Sequence, residues 1–481
     1  MGIEETTDTA SEASDAGALA EYFGFEEHGT DLRTEILAGL TTFLTMSYIV
    51  VVNPAILAHN PEIPIQNGIQ LSGYSYAQTQ SMLAVVTIVA AAVATLTMAF
   101  YANRPFAQAP GLGLNAFFAF TVVGALGVPW QTALAAVVVE GLIFVGLTAV
   151  GAREYIIRVF PEPVKFAVGT GIGLFLAIIG LQAMNVVVPD DATYITLGAV
   201  ASDPVAILSV VGLFLTFGLY ARGIPGSIIL GILATAAMGY GVELLGLVEA
   251  GTVTPGTAAA TYDITPVAGA FLSGLGDVEA FSFALVVFTF FFVDFFDTAG
   301  TLTGVSQVAG FLDEDGNLPD IDRPLMADAV GTTVGGMLGT STVTTYIESA
   351  TGVEEGGRTG MTALTVGVLF LLALAFVPLA AWIPQYASHI ALVVIGVVML
   401  QNVVDIEWDD VTDVVPAGMT ILIMPFTFSI AYGIAAGIVS YPVVKLAAGE
   451  ADETRPGHWA LAGAFVVYFF VRTSGLLEGN V

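Results

Sequence analysis

Runs of about twenty apolar residues, each bounded by Gly, Pro or polar residues, recur along nearly the whole chain. They lie near 34–58, 79–101, 110–127, 132–151, 163–185, 203–221 and 226–246. A second set follows near 279–304, 325–339, 343–355, 359–382, 386–403, 413–429 and 431–447, and a further apolar stretch covers 458–471. Stretches of this length and character cross the hydrocarbon core of a bilayer. Lipid offers no partner to a backbone N–H or C=O, so such segments fold as helices with internal hydrogen bonds. The expected fold is an all-α polytopic membrane protein with fourteen transmembrane spans and 458–471 as a peripheral tail. With 56% hydrophobic and 11% charged residues, against roughly a quarter charged in soluble domains, disorder and collagen-like repeats are excluded.

The few charges are lopsided, with 11 Lys and Arg against 42 Asp and Glu, a net charge of −31. Lysine occurs only at Lys165 and Lys445. A chain this acidic repels nucleic acid. Its acids collect in the tail (Glu4, Glu5, Asp8, Glu12, Asp15, Glu21, Glu26, Glu27, Asp31) and in loops such as Asp313-Glu314-Asp315 and Glu407-Trp408-Asp409-Asp410. An acid-rich, Lys-poor wetted surface suits a salt-in halophile, where molar salt screens repulsion within about 3 Å. The chain has no cysteine, which removes disulfides, thiolate metal sites and Cys nucleophiles. Residues 1–33 lack a basic segment and read as an acidic cytoplasmic tail rather than a signal peptide.

Basic residues favour the cytoplasmic side of a membrane. With the N-terminus inside, Arg33, Arg104, Arg153, Arg158, Lys165, Arg222, Arg323, Arg358, Lys445 and Arg455 all fall in cytoplasmic segments. The outer loops near 59–78, 128–131, 186–202, 247–278 and 383–385 contain no Lys or Arg. Arg472 disagrees if 458–471 crosses the membrane and agrees if that segment lies in the interface. The expected location is the cell membrane, multi-pass.

Fourteen spans divide into seven plus seven, and an odd number per half inverts the second half. Inverted-repeat transporters place their sites at short, Gly- or Pro-interrupted segments in matching positions of the halves. The third span, opening with Pro110-Gly111-Leu112-Gly113-Leu114-Asn115, and the tenth, opening with Gly339-Thr340-Ser341-Thr342-Val343-Thr344-Thr345-Tyr346-Ile347-Glu348, fit that description. Each reads as a short β-strand followed by a half-helix. Extended backbone at membrane depth survives only where protein or a cavity satisfies its polar groups.

Ionisable residues inside spans mark candidate sites. In Val293-Asp294-Phe295-Phe296-Asp297-Thr298 the carboxylates stand three apart and share a helix face. Glu348 starts the tenth half-helix, and Asn115 is its counterpart in the third. The bland alternative is that these groups cap broken helices or tie spans together. Glu140 is a further acid within a span, as readily structural as proton-carrying. His389 follows an outer-loop proline and reads as interfacial. Gly169-Thr170-Gly171-Ile172-Gly173 resembles a dinucleotide loop, but inside an apolar span it reads as close helix packing. Tyr262-Asp263 and Gly274-Leu275-Gly276-Asp277 resemble the motifs of intramembrane aspartyl proteases, yet share one polar loop rather than two spans. The chain does not read as an enzyme, and no cofactor or metal is expected.

From about Thr34 to Lys445 the chain resembles the AzgA-like branch of the nucleobase–cation symporters, within the nucleobase–ascorbate transporter superfamily. Thr34-Glu35-Ile36-Leu37-Ala38-Gly39, Asn53-Pro54-Ala55, Ala109-Pro110-Gly111-Leu112-Gly113-Leu114-Asn115, Asp294-Phe295-Phe296-Asp297-Thr298-Ala299-Gly300-Thr301 and Gly339–Ser349 carry the resemblance. It implies a core domain moving against a gate domain. The corresponding divisions are 34–151 (core) and 152–278 (gate) in the first repeat, 279–382 (core) and 383–450 (gate) in the second, and a C-terminal segment 451–481. It implies import of adenine, guanine or hypoxanthine by symport with H⁺ or Na⁺, H⁺ being expected. Asn115, Asp294, Glu348 and Tyr346 would bind the purine, and Asp297, Thr301 and Glu140 would serve coupling or movement. Matching Gly300 to the uracil permeases instead puts their substrate-binding Glu at Asp297 and their His at Thr301. The partners implied are a purine nucleobase, the coupling cation and the lipid bilayer, with a homodimer as one assembly open to the chain. A proton or sodium channel or exchanger using the carboxylates alone is the competing class, and an anion transporter of the same architecture is another. Three acids opposing the half-helix dipoles argue against an anion carrier.

Overall fold

A computed structural model describes residues 17–60, 66–152, 160–255, 260–276, 280–313 and 318–474. The acids at 4–15, together with Arg153, Arg158, Asp277, Glu314 and Asp315, lie outside them. The first span is split into α1 (Leu32–Met46) and α2 (Ile49–Leu57). It is followed by α3 (Tyr76–Thr97), which ends in a π-helical turn. Strand β1 (Gln108–Pro110) leads into α4 (Leu112–Ala116), which continues as π-helix through Ala125. Next come α5 (Trp130–Ala149), α6 (Glu162–Ala183), β2 (Val187–Asp190), β3 (Tyr194–Leu197), α7 (Pro204–Ala221) and α8 (Ser227–Leu244). The second half has α9 (Ala280–Ala309), α10 (Asp322–Leu338), β4 (Val343–Thr345), α11 (Ser349–Glu354), α12 (Gly360–Ala373) and α13 (Val377–Trp382). It ends with α14 (Gln385–Met399), α15 (Val411–Thr427), α16 (Ile430–Ala448) and α17 (Pro456–Thr473).

Ten of the described helical stretches are long and apolar enough to cross a membrane. The expected fourteen is thus met by length in ten cases. The third span is short (112–125), α15 is short and carries Pro416 and Pro425, α10 has 17 residues, and α11 has six. The two strands expected before the half-helices are present, and among the described residues 186–202 adds a β2–β3 hairpin. Its Val187-Val188 and Tyr194-Ile195 suit strands, but the stretch is too short and exposed to stand out. Helix α17 packs along α16 and sets Phe465 against Phe288 and Phe292 of α9.

Helix contacts occur in mirrored pairs. The α5–α10 contact has its counterpart in α3–α12, α7–α8 in α15–α16, and α6–α15 in α7–α14. This is the expectation for two halves of one plan related by inversion. Small residues let the backbones approach, as the Gly169–Gly173 stretch requires: a Cβ at Gly173 would sit 2.8 Å from the Gly396 carbonyl of α14. Such close approach, rather than a hydrophobic driving force, is what joins helices in lipid.

Start signals follow the sequence. Ser75 and Gln78 form a capping box on α3, and Asp31 caps α1 by accepting from the N–H groups of Arg33 and Thr34. The Thr34 bonds hold the exposed Asp31 carboxyl below its usual range, so this cap persists at neutral pH and is lost only as pH falls through that lowered value.

Candidate functional site

The two broken spans meet at their strands. Strand β1 pairs antiparallel with β4 in the register Gln108↔Thr345, Ala109↔Thr344 and Pro110↔Val343. The pairing is continued by Gly111 N to Thr342 O (3.0 Å) and Tyr346 N to Ala107 O (3.0 Å). β-branched Val343, Thr344 and Thr345 favour extended chain, and Pro110, which has no N–H to offer the ladder, sits at the end of β1. Thr95 on α3 both donates to the Gln108 carbonyl (2.9 Å) and accepts from its N–H (3.0 Å), while Thr332 on α10 donates to the Val343 carbonyl (2.8 Å). Hydroxyls of flanking helices thereby satisfy backbone that lipid could not. Each strand runs directly into a half-helix, and antiparallel pairing sends α4 and α11 away on opposite sides with both starts at the crossing. Gly339, at φ +107, ends α10 in a conformation costly to any residue with a Cβ, and turns the chain toward β4.

Asn115 is buried against this crossing. Its Nδ2 donates to the Pro110 carbonyl (3.4 Å) and its Oδ1 accepts from the Ser341 hydroxyl. Tyr346, also buried, donates its hydroxyl to the same carbonyl at 2.6 Å. That bond makes the phenol a strut between the half-spans in this conformation.

Helix α9 contributes the acids, and its two aspartates differ. Asp294 is sealed, accepting from Thr298 Oγ1 at 3.1 Å. The same hydroxyl lies 3.2 Å from Asp328 Oδ2 on α10 and 3.1 Å from Thr344 Oγ1 on β4. One hydroxyl carries one proton and cannot donate to both carboxylates at once. Asp297 is only partly buried. It lies against the start of α4, where a Cβ added at Gly111 would stand 3.4 Å from its Oδ2. Thr301, one turn later, is partly buried as well.

Glu348 is partly buried, and its Oε1 accepts from the Tyr48 hydroxyl at 2.5 Å. Beside it Ile347 is exposed, within reach of Gly304 on α9. Accessible positions at Gly300, Thr303 and Gln307 continue along α9. The crossing therefore has a sealed flank (Asn115, Asp294, Asp328) and an accessible one (Asp297, Thr301, Glu348).

Glu140 is buried on α5, one turn from Phe144, whose ring stacks on Phe291 of α9 at 4.6 Å between centroids. His389 is buried within the protein near the start of α14, where its Nδ1 lies 3.0 Å from the Gln385 carbonyl, one turn back. Pro384 is N-cap to α14, which packs on α6. Asp263 lies in an exposed turn, bonded to Thr265, which leaves the protease-like motif without a membrane-embedded acid there.

Three participants escape the sequence reading. Asp328 falls inside the 325–339 run, where its charge alone was the available signal. Thr298 and Tyr48 carry no such signal and are identified only by their bonds. No group of His, Asp and Glu suited to a metal ion occurs among the described residues.

Comparison with known proteins places the geometry in context. A model of a permease family (Xan_ur_permease) matches residues 33–436. A protein of Methanocaldococcus jannaschii named as a permease is 42% identical over 95% of this chain and 99% of its own length. The adenine permease AdeP of Escherichia coli is 38% identical over 95% of this chain and 96% of its own. The guanine/hypoxanthine permease PbuG of Bacillus subtilis is 39% identical over 94% and 99%. Among solved structures, the transmembrane domain of the cyanobacterial bicarbonate transporter BicA superposes with TM-score 0.59 over 85% of this chain and 97% of that one, at 13% identity. That likeness speaks to the fold, and it is the fold described above. Near-full-length identity to several permeases, together with a family match spanning both half-helices and all the acids at the crossing, makes this chain a member of that permease family.

Proposed function

We propose that the chain is a secondary transporter that imports purine nucleobases with a coupling cation, in the manner of the AzgA-like branch. Adenine and guanine/hypoxanthine permeases are its relatives by name. The observation that carries the reading is the strand crossing itself, with Glu348 and Asp297 on its accessible flank and the Asn115 amide on its sealed one. Purines present N–H donors and ring acceptors along one planar edge. A carboxylate accepts two N–H bonds, and an amide supplies both donor and acceptor. In this reading Asn115, Asp294, Glu348 and Tyr346 form the substrate site, and Asp297, Thr301 and Glu140 serve coupling or movement. H⁺ is the coupling ion in this reading, taken up at Asp297.

The ten long helices, with α10, α15 and the two strand-interrupted spans, make fourteen crossings arranged as seven plus seven. Residues 34–151 and 279–382 form the core, which carries the site. Residues 152–278 and 383–450 form the gate, with α6 and α16 against α9 as the sliding surface. The N-terminus is cytoplasmic on the positive-inside pattern. Uptake of radiolabelled adenine and hypoxanthine into proteoliposomes tests the function. Concentrative uptake of either is expected, and cation flux without purine uptake would replace the reading with an exchanger.

The acidic surface carries its own expectation. Glu26, Glu27, Asp31, Asp313, Glu407 and Asp409 are exposed. Lys445, one of only two lysines, is held by Glu450 (2.8 Å) and Glu453 (2.7 Å). Raising salt from 0.1 to 1 M shortens screening from about 10 to about 3 Å, so the melting midpoint in detergent should climb through that range. A midpoint indifferent to salt would remove the halophilic reading.

A further inference from the structure

We propose that Tyr48 is a positioning residue for the Glu348 carboxylate and through it sets the affinity for the purine. The inference rests on the reading of Glu348 as a substrate anchor and goes beyond it by assigning what aims that anchor. The first span stops at Met46 and resumes at Ile49. Tyr48 occupies that break, and the Ser47 hydroxyl turns back to the Leu44 carbonyl (3.0 Å). The break lies alongside α11: Thr45 Oγ1 and Thr351 Oγ1 are 3.2 Å apart, and Thr351 Oγ1 in turn donates to the Glu348 carbonyl (2.7 Å). From this position the Tyr48 hydroxyl reaches Glu348 Oε1 at 2.5 Å, across 300 residues of chain.

Burial separates the two roles. Tyr48 is 1% exposed, whereas Glu348 is partly accessible. The Tyr48 hydroxyl is spent on the Glu348 carboxylate, so what it contributes to a solute on the accessible flank passes through that carboxylate. An ionised carboxylate only accepts hydrogen bonds, and a phenol is a donor of fixed reach. The pair therefore has one sense, Tyr48 to Glu348, and together with the backbone N–H of Glu348 it holds the carboxylate in place. The remaining acceptor sites are left for solute N–H groups, already oriented. Preorganisation of this kind raises affinity by removing an ordering cost at the moment of binding.

The experiment is a double-mutant cycle on purified protein in detergent, read by equilibrium binding of radiolabelled adenine and hypoxanthine and by melting. Tyr48→Phe should weaken binding about tenfold with the melting midpoint unchanged. The same substitution in a Glu348→Ala background should change binding by less than about twofold, because no side-chain oxygen is left for the phenol to orient. Equal weakening in both backgrounds, or no weakening by Tyr48→Phe where Glu348→Gln does weaken binding, overturns the positioning role. Full affinity in Glu348→Gln overturns the anchor itself and this inference with it, a separate result. If Tyr48→Phe lowers the melting midpoint, Tyr48→Gln takes its place in the cycle. It retains a donor, and its recovery of affinity over Tyr48→Phe upholds the role while absence of recovery overturns it.

Discussion

Glu348→Gln is expected to weaken purine binding by about ten- to a hundredfold while leaving the protein folded. The substitution keeps the size and shape of the side chain and changes one oxygen into an NH₂ group. Glu348 already accepts from Tyr48, so the amide has to choose. If its oxygen stays with Tyr48, the NH₂ confronts a purine N–H donor; if it turns round, the phenol has to accept from the NH₂ and only one uncharged oxygen is left for the purine. Either way one hydrogen bond to a charged acceptor is lost, worth about 1.5–3 kcal/mol, which is roughly ten- to a hundredfold in Kd. Equilibrium binding of labelled adenine or hypoxanthine, with melting as a control for folding, measures it. An unaltered Kd removes Glu348 from the site.

What could be read beforehand follows from how far each physical signal reaches. Lipid imposes helices, so span positions were legible from hydropathy and match the described helices to within a few residues at most ends. The strands before the half-helices were legible too, because Pro110 and the β-branched run Val343-Thr344-Thr345 resist helix locally. Their mutual pairing was not: Gln108 and Thr345 are 237 residues apart, and no local preference encodes a partner at that distance. The spacing of Asp294 and Asp297 correctly put both on α9, but not the difference between them. That difference comes from Asp328 and Thr344 closing over Asp294 through Thr298. The Tyr48–Glu348 bond likewise depends on tertiary packing, at a helix break. Acids within apolar runs announce themselves by their cost. Hydroxyls and phenols in the same runs are inexpensive, and their roles emerge only with the fold.

Asp297→Asn is expected to bind purine yet fail to concentrate it, whereas Asp294→Asn should weaken binding itself. The geometry separates them. Asp294 belongs to a sealed network whose hydroxyl, Thr298, also serves Asp328 and touches Thr344 on the strand pair. Changing Asp294 replaces an acceptor with a donor where one hydroxyl proton is already shared, and the disturbance reaches β4 and Asn115 beside it. Asp297 lies on the partly exposed flank against Gly111, and on the proposed reading that is where a proton enters and leaves the site. On the proposed reading, a proton joining the site lowers its negative charge, and the proposed core passes the gate with less desolvation cost. With one proton per purine, an inward gradient of one pH unit stores about 1.4 kcal/mol and supports about tenfold accumulation. A permanently neutral amide in place of the Asp297 carboxylate would let substrate move in both directions without reference to that gradient. Internal and external purine should then equalise while exchange of labelled for unlabelled purine continues. The competing structural account, in which Asp297 only holds α9 in place, expects a lowered melting midpoint and loss of exchange as well. Proteoliposomes with an imposed pH gradient, a sodium gradient or neither distinguish these results. Wild-type accumulation that follows sodium and ignores pH would move the coupling from protons to sodium, and an Asp297→Asn variant that still concentrates purine tenfold would take Asp297 out of coupling altogether.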